Sequence, residues 1–410
     1  MAGKSMHAGA ESSPDVLIVG GGPAGLAAAL ALRLRGASVT VADAMRPPID
    51  KACGEGLMPD SRRELALLGV NLDSREGGEF RGIRFVNHWQ GQTKSGGDLL
   101  RDVATAQFPA GGSLGTGIGL GLRRQDLHAR LVDAAEQAGV KLRWQSVVQL
   151  KENERVLVGG EPATYGYLVG ADGQSSRVRR WAGLERGTVL TRRFGFRQHF
   201  AVEPWSPYVE VHWAKSGQAY VTPVGPNEVC VATIARDQHC RMHTLLRELP
   251  WLREKLSGGS QKELVPVDQE RGALTTTRRL QRVVRGPVAL LGDASGSADA
   301  ITGEGMAMAF RQALLLAECL EAGNLERYQE LHPAILRLPQ TMARVMLMMD
   351  RSATFRNRAL SMLASEPPLF ARMLGVHVGS ESLVKFVAAK GLELAWRLAW
   401  PAGTVSAAGI

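Results

Sequence analysis

Apolar and polar positions follow two different periods along this 410-residue chain. Val16 to Val19 is apolar at every position, as in a strand buried on both faces of a parallel sheet. It runs into a turn, Gly20 to Gly25, and then an alanine- and leucine-rich stretch predicted to be helical over 23–35. Residues 38–42 repeat the strand pattern and end at Asp43. A short helix is expected over 61–68, a longer one over 123–138 with Leu127, Leu131, Val132 and Ala135 at helical spacing, and strands over 140–144 and 167–170. Residues 80–100 and 194–236 alternate apolar and polar positions between glycine turns, which predicts antiparallel strands in a separate layer. Pro223 belongs at an edge or bulge because it lacks an N–H. A helix is expected over 239–256 and a buried strand over 288–291, leading through small residues into a helix near Glu304.

These elements predict an α/β protein. A Rossmann-like dinucleotide-binding domain over 15–78, 101–185 and 272–325 is interrupted by a β-rich, antiparallel substrate domain over 79–100 and 186–271. Residues 326–410 form a C-terminal helical segment rich in Leu, Met and Ala, and residues 1–14 read as a disordered tail. The helical segment is expected to pack on the dinucleotide domain. Met346 to Met349 serve there as adaptable core packing or line an apolar substrate tunnel.

Composition narrows the class. The chain is 45% hydrophobic and 22% charged, as globular proteins are. Its net charge of +9 is scattered in doublets such as Arg62-Arg63 and Arg278-Arg279 rather than in a dense basic run, which argues against a nucleic-acid partner. Nine Lys and Arg against four Asp and Glu from Leu331 onward leave room for transient membrane contact, but no apolar run is long enough to span a bilayer. Cys53, Cys230, Cys240 and Cys319 are widely spaced, which fits a reducing, cytoplasmic setting and neither a disulfide framework nor a metal site.

The chemistry concentrates in a few motifs. Gly20, Gly22 and Gly25 form G-x-G-x-x-G between strand and helix, with Pro23 and Ala24 opening the helix. That arrangement offers N–H groups and a positive dipole end to a pyrophosphate. Asp43, followed by Ala44, lies where a ribose-binding carboxylate belongs. Arg46 and Lys51 are candidates for phosphate or ribose contacts, and the backbone at Cys53 and Gly54 can approach a flat cofactor. Arg124 opens a helix, an unusual place for a cation unless it reaches a phosphate. Asp172-Gly173 is a turn, and Ser175 or Ser176 can cap the short helix after it. Asp293, after Gly292, can accept hydrogen bonds from a polyol. Gly303, Glu304, Gly305 and Met306 start a helix whose N–H groups suit an electron-rich ring edge. His199, His212 and Tyr220 sit in the β-rich region as substrate-pocket candidates.

With these motifs in order, residues 15–325 resemble the FAD-dependent oxidoreductases of the para-hydroxybenzoate hydroxylase fold, a group that includes aromatic hydroxylases, flavin halogenases and geranylgeranyl reductases. Gly20-x-Gly22-x-x-Gly25 resembles its ADP-binding motif, Asp172-Gly173 the motif touching both FAD and the nicotinamide cofactor, and Gly292-Asp293 the ribityl-binding motif; Arg124 matches its FAD-contacting arginine. The resemblance implies FAD as cofactor and NADH or NADPH as reductant. It also implies O2 and a small apolar or aromatic substrate, hydroxylated through a flavin C4a-hydroperoxide. No catalytic residue follows from it. The stretch 194–200 and Val209 to Trp213 are similar to monooxygenases of bacterial secondary metabolism, whereas 51–56 and 299–305 are nearer to the geranylgeranyl reductases, so alkene reduction stays open. The W-x-W-x-I-P signature of flavin halogenases is absent, so halogenation is a lesser alternative, beside a non-catalytic flavin sensor.

Overall fold

The structure, a computed structural model, describes residues 15–88, 100–111, 115–151, 155–258 and 264–399. The expected tail over 1–14 and the strand pattern over 89–99 lie outside them. A six-stranded sheet forms the first layer. Val16–Val19 sits inside it, parallel to Tyr167–Gly170 on one side and Val39–Ala42 on the other. Val288–Leu290 and Lys141–Arg143 extend the parallel order, and Val284–Arg285 closes one edge antiparallel. Helix Pro23–Arg33 buries Leu26, Ala27, Leu30 and Ala31 on this sheet, and helices Arg124–Gln137 and Gly305–Glu321 pack beside it. The small side chains let it lie close: a Cβ on Gly25 would stand 1.9 Å from the Gly20 carbonyl oxygen. Gly20 itself has φ of +112°, a conformation that side chains disfavour.

The second layer is a seven-stranded sheet. Its order runs Arg271–Leu280, Gly187–Phe200, Glu228–Ala235, Gly217–Gly225, Val209–Trp213, Gly82–His88, Leu100–Gln107. Every pairing is antiparallel except that of Val209–Trp213 with Gly82–His88, where two distant chain segments join without a hairpin. Two strands cross the expected domain limits. Leu100–Gln107 pairs with Gly82–His88, so the β-rich layer runs past residue 100, and Arg271–Leu280 pairs with Gly187–Phe200, so it runs past residue 271. Pro223 lies at a register shift, as a residue without an N–H must when its strand is flanked on both sides. The helix expected over 239–256 is two helices, Met242–Leu246 and Pro250–Leu256, because the residue before Pro250 is driven out of helical geometry.

The C-terminal helices differ most from expectation. Leu325–Arg351 packs on Gly305–Glu321 in the dinucleotide layer. Ala353–Ser365 and Pro367–His377 instead pack on Leu100–Gln107 at the edge of the seven-stranded sheet. Phe370 stacks on Phe85 with ring centroids 5.0 Å apart. No helix among the described residues is long and apolar enough to cross a membrane.

Phe310 is fully buried between helix Gly305–Glu321 and the parallel sheet. Phe310→Ala is therefore expected to lower the unfolding free energy by about 3–5 kcal/mol in denaturant melts; a loss under about 1 kcal/mol would contradict this placement.

Candidate functional site

The two sheets and the C-terminal helices enclose a continuous cavity of about 670 Å³, inside the ~300–1,000 Å³ range of ligand sites. One end is built of backbone and polar groups. Gly20, Gly22, Pro23 and Ala24 line it, with Asp43 and Ala44 from the next strand end. Both Asp43 oxygens hold backbone: Oδ2 accepts from Gly21 N and Oδ1 from Met45 N, each at 2.7 Å. A carboxylate has further lone pairs, so this one can shape the turn and still accept from a hydroxyl. A Cβ on Gly22 would meet nothing within 4 Å, so this glycine faces open cavity at the start of helix Pro23–Arg33. Arg124 also lines the cavity, and its Nε is buried without a hydrogen-bond partner. An open glycine cradle, a helix N-terminus and an unsatisfied arginine suit a pyrophosphate. The residues present thus fit a dinucleotide.

The middle of the cavity gathers the other motifs. Asp172 accepts from Ser176 Oγ at 2.5 Å and from Arg177 N at 2.6 Å, so it fixes the turn that precedes helix Arg177–Trp181, which Ser176 caps. Lys51 Nζ lies 3.2 Å from Asp293 Oδ2, both partly exposed to the cavity. A pair this exposed contributes little and can open for a ligand hydroxyl. Cys53, Gly54, Gly173, Gly292, Gly303, Gly305 and Met306 line the same stretch.

The opposite end is apolar. Ile83, Phe85 and Val211 come from the seven-stranded sheet, and Met346, Leu363 and Phe370 from three C-terminal helices. The methionine run therefore contributes to cavity lining, while Met348 points to solvent at 53% exposure. Tyr220 lines this end and donates from its hydroxyl to Ile301 O at 2.9 Å.

Five expected site residues stand elsewhere. Arg46 is exposed and outside the cavity, because the chain turns outward before Lys51 returns. His212 faces away from it: its ring meets His88 at 2.9 Å and Glu210 at 3.1 Å inside the sheet. His199 also points away, 2.6 Å from Glu55 Oε2 and 2.8 Å from Asp268 Oδ2. Glu304 turns its carboxyl into the interior, between cavity-lining Gly303 and Gly305, instead of joining the wall. Gly25 serves packing rather than lining.

The residue that sequence reasoning passed over is Glu55. It lines the cavity at 2% exposure, with φ of +60°. Oε1 accepts from Arg124 N at 3.0 Å while Oε2 meets His199. Arg197 adds Nε at 3.7 Å from Oε1 and reaches Asp50 and Asp268. Glu55, His199 and Cys230 place potential ligand atoms within 4.8 Å, but His199 already spends both ring nitrogens on carboxylates. Its motif, Cys-Gly-Glu-Gly, signalled a backbone approach and gave no sign of a buried carboxylate. Burial alone would pull the His199 pKa down; the hydrogen bonds and charges of Glu55 and Asp268 outweigh it and hold the pKa above its ordinary value.

A family model described as FAD binding domain matches residues 13–333. The chain is 28% identical to the menaquinone reductase of Mycolicibacterium smegmatis over 350 residues, covering 79% of this chain and 80% of that one. It is 26% identical to the 6-hydroxynicotinate 3-monooxygenase of Pseudomonas fluorescens over 347 residues, covering 75% and 83%. Among solved structures, a flavoprotein/dehydrogenase from Cytophaga hutchinsonii superposes with a TM-score of 0.72 at 18% identity, covering 92% of this chain and 94% of that one, a likeness of fold.

Gly22→Val places a branched side chain in the open cradle and is expected to yield protein purified without flavin, read from absorbance; normal flavin content would overturn the cradle. His199 lends stability that is complete below its unfolded pKa near 6.5 and fades as pH rises through its raised folded value. Melting temperature should therefore fall across that rise, and His199→Gln should flatten this part of the profile. An unchanged profile would show that His199 does not titrate with folding.

Proposed function

The chain belongs to the FAD-binding-domain family and is a flavin-dependent oxidoreductase, and from this premise we propose that it hydroxylates a largely apolar metabolite. The observation that carries the substrate class is the two-ended cavity, a glycine-lined groove opening into a chamber of Ile, Phe, Leu and Met. In this reading the ADP part of FAD lies along Gly20 to Ala44. Gly22 at the helix start and Arg124 would hold the pyrophosphate, Asp293 the ribityl chain, and Cys53-Gly54 with Gly303 to Met306 the ring. Asp172-Gly173 borders the approach of the nicotinamide.

Bound FAD supplies the redox chemistry, with NADH or NADPH as reductant and O2 as oxidant. The balance is one reduced nicotinamide, one proton, one O2 and one substrate C–H, giving oxidised nicotinamide, water and a C–OH. The chain binds, orients and excludes water. Phe85 and Phe370 close the chamber on one side and the methionines on another. Each substrate methylene buried there contributes about 0.8 kcal/mol, so a hydrocarbon portion provides affinity without polar contacts.

A second reading, reduction of an alkene or quinone, is favoured by the likeness to menaquinone reductase over 80% of that chain and by the Lys51 to Gly56 stretch. One experiment separates the two. FAD-loaded protein is given NADH or NADPH with 4-octylphenol or a short-chain menaquinone, once under isotopically labelled O2 and once without oxygen. Hydroxylation predicts one labelled oxygen atom in the product and no turnover without O2. A product that gains two hydrogens under anaerobic conditions would replace hydroxylation by reduction.

A further inference from the structure

The apolar chamber has few polar side chains, and most are engaged. Tyr220 donates to Ile301 O at 2.9 Å and Thr222 to Gly54 O at 2.8 Å. Two are less engaged: Thr233, whose Oγ1 is buried without a hydrogen-bond partner, and His377. His377 ends helix Pro367–His377, lines the chamber, and is 7% exposed. Its Nδ1 lies 3.5 Å from Glu304 Oε2, and the ring donates a hydrogen bond to the Thr302 backbone carbonyl. Glu304 is 1% exposed, and neither of its carboxylate oxygens has a hydrogen-bond partner.

The charged groups facing this pair come from two helices. Arg311, from Gly305–Glu321, bonds Asp60 and lies 3.3 Å from Glu64, both on Pro59–Leu67. Arg63 on that same helix holds Glu64 from the surface side. Arg311 is thus bonded to Asp60 and Glu64 and reaches Glu304 only through its field, which offsets part of the effect of burial. Burial, with the nearby Asp60 charge, pushes its carboxyl up to about 8. Burial pulls the imidazole of His377 below its ordinary value, against the Asp60 charge. Both groups are therefore neutral near pH 7. A neutral imidazole carries one donor and one acceptor; the donor is spent on the Thr302 carbonyl, which leaves the acceptor nitrogen for a ligand. Its chamber side is apolar, lined by Met349, Met373 and Leu374, so a ligand hydroxyl brought within reach meets few competing polar groups.

We infer that His377 recognises the single polar head, a phenolic hydroxyl that donates to its acceptor nitrogen, of an otherwise hydrocarbon substrate. This rests on the apolar-substrate reading above and makes His377 its specificity-determining residue. The chamber walls hold the hydrocarbon, which any apolar ligand supplies, while the imidazole distinguishes a ligand that carries an oxygen from one that does not. A site built to hydrogen-bond an oxygen discriminates against the ligand lacking it far more sharply than an apolar wall discriminates by size.

The test uses two ligands of one shape, 4-octylphenol and octylbenzene, titrated into the FAD-loaded protein and read from the flavin absorbance. The wild type is expected to bind the phenol at least ~10-fold more tightly. His377→Leu should bind the two alike, and His377→Gln, which keeps a donor and an acceptor, should retain part of the preference. A general loss of packing would weaken both ligands together and leave their ratio unchanged. Equal wild-type affinities, or an undiminished preference in His377→Leu, would overturn the assignment and leave the apolar chamber standing. Failure of both ligands to bind the wild type would remove the apolar-substrate reading, and this assignment with it.

Discussion

Glu55 is the constraint on which the cavity depends. The loop that leaves strand Val39–Ala42 is rich in proline and glycine and has no regular hydrogen bonding of its own until Gly56–Leu57 pairs with Gly119–Gly121. What fixes its course is a buried carboxylate that holds a helix start at Arg124 and a sheet residue at His199 together. A buried charge is costly unless it is paired and hydrogen-bonded. Here His199, Arg197 and the Arg124 N–H supply that pairing, with Asp268 and Asp50 satisfying the outer side. The loop is thereby held against the seven-stranded sheet, with Cys53 and Gly54 presented to the cavity. The positive φ of Glu55 is a local cost that this network over-determines.

The cavity that results has opposed chemistries at its two ends. The glycine-lined end offers N–H groups, a helix dipole and an arginine, which favour anionic oxygen. The far end offers aromatic and thioether surface, which favours hydrocarbon and excludes water. A dinucleotide with a flat ring bridges such ends by its own polarity, phosphates at one and ring at the other. Ligand selection depends on this gradient more than on any single side chain, in keeping with a cofactor that carries the reactive chemistry itself.

Much of the first end was legible in the sequence because its signals are local. A strand, a G-x-G-x-x-G turn, a helix and an acid at the next strand end all lie between Val16 and Asp43, and each constrains the next. Asp172 and Asp293 were legible for the same reason, both following a short buried strand. The other end was not. Whether His199 or His212 faces the cavity depends on pairings between strands distant in sequence, such as His212 with Val86 and His199 with Cys230, and a shift of one position reverses every side chain. The apolar pattern of the C-terminal helices announces buried faces without naming what they bury against, so Phe370 on Phe85 could not be foreseen. Glu304 lay in a readable motif, yet the direction of its side chain is set by the packing of Asp60, Arg311 and His377 around it.

The most direct measurement of the central claim is a crystal structure of the FAD-loaded protein. The account predicts the adenosine beside Gly22 and Asp43, and the flavin ring between Cys53-Gly54 and Gly303 to Met306, with one face open to the chamber of Phe85, Met346 and Phe370. A ring lying elsewhere, or a chamber filled by side chains and sealed off from the ring, would contradict it.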